Sequence, residues 1–391
     1  MTVQRFSKSF TQQEALPDAA IARAVEIMRS GKLHRYNTGP GEQSEVALLE
    51  AEYAHYQGAN YCLACTSGGT AMQIGLRTAG VSAGDTVLAN AWTLAPVPGA
   101  MHAVGAKVVL VETGDDLRID IDDLIAQADA TQARFLLLSH MRGHIGDMER
   151  IAQICAARNI TLIEDCAHTM GARWNGVRSG NFGKLACFST QTYKHLNSGE
   201  GGFLTTNDPQ IAAKAVILSG SYMLYGRHGA IPAAQCFDAV KLEMPNCSSR
   251  MDNLRAAILR PQLTGLDANI ARWNQRYQII ENGLQGSADI ATIKRPAAET
   301  MVGSSIQFRL KRPHSKIKAY IKRKLDVGID LKWFGEAEPK AFTSRYDSWR
   351  YLGATRDLPK TKAALDQLLD MRIPLTFSEE DCQTLAVLLR P

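Results

Sequence analysis

The chain alternates between short apolar runs and longer stretches in which apolar residues recur at helical spacing. Leu16 to Met28 and Ser44 to Tyr56 follow the helical pattern, and Ser44 stands where an N-cap belongs. Beyond them the runs shorten to Thr86–Ala89, Lys107–Glu112, Arg134–Ser139, Ile160–Asp165, Ala186–Thr190 and Gly202–Thr205. Brief runs of this kind, rich in β-branched residues and bounded by turns, read as buried strands. Strands alternating with helices predict an α/β protein, a three-layer αβα arrangement in which helices cover both faces of a mainly parallel sheet.

The alternation stops near residue 260. Asn253 to Gln278 reads as one long helical segment kinked at Pro261, and after it come the strand-like Ser305–Leu310 and further helices. The expected division is a large domain of residues 1–262, with the N-terminal helix, and a smaller α+β domain of residues 263–391. No internal repeat or low-complexity stretch is visible.

Composition narrows the function classes. With 391 residues, 45% hydrophobic and 21% charged, the chain is ordinary for a folded enzyme, and a net charge of +5 gives little reason to expect a nucleic-acid partner. Its one dense basic stretch, Lys311 to Lys324, carries Ile317, Tyr320 and Ile321, followed by Leu325, at helical spacing, so the lysines are expected on a solvated helix face. Eight cysteines are scattered without a signal peptide at the start, which predicts reduced thiols in a cytoplasmic protein. Cys62 and Cys65 have metal or redox spacing but no companions, so they are expected in the core and no metal site is expected. No apolar run approaches the roughly 20 residues that span a bilayer, so no membrane partner is expected. The glycosylation-type patterns Asn159–Thr161 and Asn246–Ser248 lack a secretory context and read as accidental.

Two segments carry candidate chemistry. Glu164-Asp165-Cys166-Ala167-His168 follows a strand-like run, which would place Asp165 at a strand's C-terminal end, where open α/β sheets bind ligands. Lys194 follows the next such run and precedes the glycines of Gly199 to Gly202, so a sharp turn would hold it in a cleft. Alone, each reads as a surface lysine or a helix cap. Together they match what pyridoxal 5′-phosphate (PLP) demands: a lysine for the Schiff base, and a carboxylate against the ring nitrogen. The phosphate calls for a helix N-terminus, which Thr66-Ser67-Gly68-Gly69-Thr70-Ala71 offers.

These motifs give the chain a resemblance to the DegT/StrS family of PLP-dependent aminotransferases, which have the aspartate aminotransferase fold. It covers roughly residues 30 to 265 well and the remainder more loosely. The family's Ser-Gly-Thr-Ala loop, Gly-Asp-Glu-Val entry, His-x-x-Gly, Glu-Asp-x-Ala-His, Phe-Ser-x(4)-Lys and Gly-Glu-Gly-Gly correspond to Ser67–Ala71, Gly84–Val87, His140–Gly143, Glu164–His168, Phe188–Lys194 and Gly199–Gly202. The resemblance implies that Lys194 forms the Schiff base, Asp165 pairs with the pyridinium nitrogen and His168 lies near the phenolic oxygen. It implies that Ser67, Gly68, Gly69, Thr70 and Ser189 hold the phosphate, with Gln191 beside the site.

The chain departs from the family pattern in places. Leu94 stands where relatives carry the aromatic residue that stacks on the cofactor, and Trp92, on the same face if the segment is extended, is either its substitute or core. Relatives are dimers whose partner subunit often gives an Asn to the site. Here Ser248 is in register with Arg250, and Asn246 lies two residues off, so these three are candidates for contact across a homodimer interface.

The resemblance implies an amino acid donor, usually glutamate or glutamine, and an oxo sugar, cyclitol or oxo-acid acceptor. His34–Asn37 and Lys332–Gly335 look more like the relatives that take sugar-acid aldehydes or oxo acids. An anionic acceptor needs a guanidinium, for which Arg35, Arg142, Arg250 and Arg345 are the candidates. Arg142 stands where relatives tend to carry an apolar or aromatic residue, although it also reads as a surface arginine. Competing expectations are a PLP-dependent sugar dehydratase, in which histidine replaces the lysine and for which His195 follows Lys194, and a non-catalytic relative. A dinucleotide-binding protein is disfavoured because no Gly-x-Gly-x-x-Gly follows the first strand.

Overall fold

The computed structural model describes residues 5–338 and 345–391. Its strands run in chain order as β1 (Tyr61–Cys65), β2 (Thr86–Asn90), β3 (Lys107–Val111), β4 (Phe135–Ser139), β5 (Thr161–Asp165), β6 (Arg173–Trp174), β7 (Val177–Arg178), β8 (Leu185–Ser189), β9 (Gly202–Thr206), β10 (Ile290–Thr292), β11 (Glu299–Thr300), β12 (Ser305–Leu310), β13 (Lys332–Trp333) and β14 (Leu368–Arg372). A seven-stranded sheet has the order β1-β9-β8-β5-β4-β2-β3. β3, β2, β4, β5 and β8 are parallel, while β9 pairs antiparallel with both β8 and β1. β10, β12, β14 and β13 form a second, antiparallel sheet, and β11, β6 and β7 a small third one.

Helices α1 (Asp18–Ser30), α2 (Glu45–Gln57), α3 (Gly68–Thr78), α4 (Pro96–Ala103), α5 (Ile121–Thr131), α6 (Met148–Ala157), α7 (Pro209–Ser219) and α8 (Gln235–Asp238) accompany the large sheet. They start where side chains can cap them. Ser44, Ser67, Asp120, Asp147 and Asp208 each accept a first-turn backbone N–H of α2, α3, α5, α6 and α7. The sheet's two faces bury separate apolar clusters, one around Leu137, Ile163 and Leu204 beneath α3, α4 and α7, the other around Leu136, Leu138 and Leu162 beneath α5 and α6. That is the period-two split of strands buried on both faces.

Further along lie α9 (Asn253–Thr264), α10 (Leu266–Leu284), α11 (His314–Asp326), α12 (Pro359–Asp366) and α13 (Glu379–Leu389). The expected single segment is two helices: α9 runs through Pro261 to Thr264, and the break between α9 and α10 falls at Gly265. The second sheet packs on α10, α11 and α13, and its core also takes in Phe6 and Phe10, which set their rings edge-on or tilted around Phe377.

On α11, Ile317 and Tyr320 are buried as the spacing predicts, but Leu325 is 56% exposed. Lys324 instead turns inward and donates to the carbonyls of Leu388 and Arg390. Cys62 and Cys65 are buried core thiols, as expected.

Glu164 joins layers within the large unit. Fully buried on β5, its carboxylate accepts the backbone N–H groups of Gly180, Phe182 and Gly183 at 2.9, 2.8 and 2.6 Å, and His140 Nε2 lies 3.1 Å away. His140, Glu164 and Cys166 are close enough to hold a metal ion, but those three N–H groups already occupy the carboxylate. Glu164→Ala strands three donors, one buried and two part-buried, each worth about 1–3 kcal/mol when left unpaired away from water. The expected loss is at least about 3 kcal/mol in the urea midpoint analysis, and a loss under about 1 kcal/mol would refute this role.

Candidate active site

Parallel strands end together, and polar side chains gather at their C-terminal edge. Asp165 ends β5 beside Ser139 at the end of β4, whose hydroxyl donates to Asp165 Oδ2 at 2.7 Å. The Ala167 N–H donates to Oδ1 at 3.1 Å. Asn90, ending β2, accepts the Ser139 N–H and donates to its carbonyl, which fixes the spacing of the strand ends. Asp165 is thus a buried carboxylate aimed by neutral donors, with acceptor capacity left for a cationic N–H.

Lys194 lies in the loop joining β8 to β9. Three backbone bonds pin that loop, from Thr190 to Gly201, Thr192 to Gly199 and Ser198 to Thr190. The Lys194 Nζ lies 2.8 Å from His168 Nε2. Burial of the amine pushes it down to about 7, Arg142 and Arg372 push the same way, and Asp165 opposes them. His168 is held well below the usual imidazole range, first by burial and then by Lys194. At neutral pH it is an uncharged ring able to accept a proton from its neighbour or donate one.

The other end of the site is a helix start. Ser67 Oγ accepts the Thr70 N–H at 3.0 Å, leaving the first-turn N–H groups of Gly68 and Gly69 without a helical acceptor. A Cβ on Gly68 would lie 2.9 Å from Ser189 Cβ, and one on Gly202 would lie 2.6 Å from Gly68 N. Only glycines let α3 press its first turn against β8 and β9. The resulting cradle of amide donors with the hydroxyls of Thr66, Ser67, Thr70 and Ser189 suits a phosphate. Cradle, Asp165 and Lys194 together fit PLP. Gln191 sits on the lysine loop, where its Oε1 accepts the Tyr193 N–H.

Several expectations need correction. Trp92 is fully buried, packed against Phe334 and His144 in a cluster with Met141 and Leu368, so it is core and no stacking substitute. The period-two argument failed because the chain leaves β2 at Asn90 and turns, with the Asn90 amide donating to the Trp92 carbonyl. Arg35 is also buried, spent in a two-bond ion pair with Glu50 and a contact to His228 Nδ1. It is a strut of the N-terminal segment.

Arg345 pairs with Asp347 and does not line the cavity at Lys194. Arg250 donates to the Gly220 carbonyl beneath Tyr222, and exposed Asn246 accepts the Ser248 N–H, so within one chain neither reaches Lys194. His195 packs on Trp273 and contacts Ser304 Oγ, and burial lowers it to about 3.

Arg142 is not a surface arginine. It lines the same cavity as His168 and Lys194, and its Nη2 lies 2.7 Å from Asp370. Arg372 and Tyr193 went unrecognised in the sequence. Arg372 comes from β14 and stacks 3.9 Å over the Tyr193 ring. Nothing local marks it, since it ends an ordinary apolar strand in a distant sheet. The α11 face bearing Lys318 and Lys322 lines the outer part of the cleft, so its lysines border the site as well as solvent.

Comparison with known proteins agrees with this geometry. The fold is that of the PLP-dependent aminotransferases. The structure of 3-amino-5-hydroxybenzoic acid synthase superposes with a TM-score of 0.81 over 97% of this chain and 98% of its own at 23% identity, a likeness of fold alone. The chain belongs to the DegT/DnrJ/EryC1/StrS aminotransferase family, whose model matches residues 16–390.

Among its relatives, the dTDP-3-amino-3,4,6-trideoxy-alpha-D-glucose transaminase of Streptomyces venezuelae is 32% identical over 74% of this chain and 69% of its own length. A pleiotropic regulatory protein of Geobacillus stearothermophilus is also 32% identical, over 68% of this chain and 65% of its own length. The aligned stretch thus spans about two thirds of these relatives. Among the described residues no helix is long and apolar enough to cross a membrane.

Competitive acetylation read by mass spectrometry should give Lys194 a reactivity midpoint near pH 7, where its amine loses its proton. Arg142→Met removes a cation that favours the neutral amine and should move the midpoint upward. A wild-type midpoint in the ordinary lysine range would contradict the site's electrostatics.

Proposed function

We propose that this protein is a PLP-dependent aminotransferase that carries an amino group from an amino acid, expected to be glutamate, to an oxo sugar, cyclitol or oxo-acid acceptor. The observation that carries the reading is the Lys194 amine, brought close to neutrality and set against a neutral His168, on the same strand edge as Asp165.

PLP, when bound, supplies an electron sink for a Cα–H bond of the substrate. The residues supply the rest. Asp165, held by Ser139 and Ala167, would keep a proton on the ring nitrogen, which is what makes the sink effective. The α3 N-terminus would hold the phosphate, and Ser189 would close it from the sheet side. Lys194 is uncharged in part at neutral pH, so it can serve as a nucleophile and afterwards move a proton as general acid and base at its Nζ. His168, held uncharged next to it, can position the Nζ through their hydrogen bond.

Two other readings are weaker. A dehydratase would need a histidine in place of Lys194, and His195 is turned onto Trp273. A regulatory role finds a precedent in the Geobacillus relative, yet a purely regulatory protein has no use for a lysine with a lowered pKa. We infer a homodimer as well, with Asn246, Ser248 and Arg250 near the exposed Tyr222 and Met223 as candidates for the shared surface.

The test is the visible absorption spectrum of the purified protein with PLP, before and after L-glutamate, followed by borohydride reduction and peptide mapping. A spectrum that glutamate converts, with a reduced label on Lys194, is the expected result. Lys194→Ala should remove the label, and both Lys194→Ala and Asp165→Ala should lower turnover by about 1,000-fold. Intact transamination in either variant would refute the assignment.

A further inference from the structure

The chamber next to Lys194 has a volume of about 40 Å³ and shares Phe10, Arg142, Tyr193 and Arg372 with a neighbouring one of about 630 Å³. Arg142 and Arg372 line both chambers, so they stand at the junction between them. They arrive from opposite sides, Arg142 from the turn after β4 and Arg372 from the end of β14 in the second sheet.

Arg142 is held there at a cost. Its backbone is left-handed, at φ 53° and ψ 26°, a conformation that costs a residue with a side chain about 1–2 kcal/mol. Its Nε is buried without a hydrogen-bond partner among the described residues. Strain of this kind persists where the surrounding structure over-determines it, and it points to function when it aims a side chain into a cleft.

Charge at the junction is unbalanced. Arg142 has Asp370 as a partner, while Arg372 lies on the face of Tyr193. The Lys332 amine is pushed down to about 8 by burial, with Arg142 and Arg372 adding to the effect and Asp370 opposing it. The two guanidiniums thus share one ion-pair partner among the described residues, and a further carboxylate would balance them while accepting their N–H groups.

We propose that Arg372 and Arg142 together form a carboxylate subsite beside Lys194, occupied in turn by the amino acid donor and by the acceptor, and that the acceptor is therefore an oxo acid rather than an uncharged oxo sugar or cyclitol. This rests on the aminotransferase reading and narrows its substrate class. Tyr193 acts as a positioning residue, because its ring supports the Arg372 guanidinium.

Two measurements on the PLP-loaded protein test it. In calorimetry, glutarate should bind at least tenfold more tightly than the uncharged glutaramide. Arg372→Met and Arg142→Met should abolish that preference, and Arg372→Lys should keep part of it. In the second half-reaction, after loading with L-glutamate, pyruvate should react at least 100-fold faster in kcat/KM than hydroxyacetone, its uncharged counterpart, and Arg372→Met should bring the ratio below fivefold. Equal binding of glutarate and glutaramide, or an unchanged preference in both Met variants, overturns the subsite. A kcat/KM ratio near one, or no reaction of either ketone, overturns the acid acceptor. Borohydride labelling of Lys194 in the same samples separates the two readings, since an unlabelled lysine refutes the aminotransferase while calorimetry still judges the subsite.

Discussion

The site depends on the pleat of one strand. Glu164 and Asp165 are neighbours on β5, so their side chains leave opposite faces of the sheet. Glu164 spends its charge on the amides of Gly180, Phe182 and Gly183 and thereby locks the segment that leads into β8. Asp165, on the other face, is left for the cleft. A one-residue slip of β5 would exchange these roles, putting the strut in the cleft and the functional carboxylate in the core. The buried network around Glu164 thus fixes where Asp165 points and where β8 starts, and through β8 where Lys194 hangs.

Charge is handled differently on the two sides of the cleft. At the strand ends and in the N-terminal segment, polar and ionic groups have assigned neighbours: Ser139 for Asp165, Ser67 for Thr70, Glu50 for Arg35. On the cleft side, Arg142 and Arg372 both line the cavity beside Lys194, and Asp370 pairs with Arg142. Two guanidiniums facing one cavity favour an anionic ligand there. Burial lowers the Lys194 pKa, and Arg142 and Arg372 act in the same direction.

Much of the large unit was legible in the sequence. Strands β2, β3, β4, β5, β8, β9 and β12 fall within a residue or so of the apolar runs that predicted them, because strands buried on both faces leave continuous hydrophobic signatures. The placing of Asp165 at the end of β5, of Lys194 beside His168 and of a helix start at Ser67 was legible too, since chemistry and chain order constrain them together. Arg35 and Trp92 were misjudged because whether such a side chain points into a cleft or a core depends on the local turn, which composition does not encode. Arg372 was invisible for another reason: it reaches the site across a sheet-to-sheet contact with more than a hundred residues between it and Lys194.

The second sheet closes over both ends of the described chain. Phe6 and Phe10 surround Phe377, while Lys324 and Tyr320 grip the carbonyls of Leu388, Leu389 and Arg390. During synthesis, at about 5–20 residues per second, the early aromatics would wait roughly 20–70 s for their partner to emerge. The α/β layer can assemble in that interval, but two phenylalanines remain exposed and adhesive until the last helix is made. The nascent chain therefore carries, until Phe377 emerges, the kind of surface that chaperones bind.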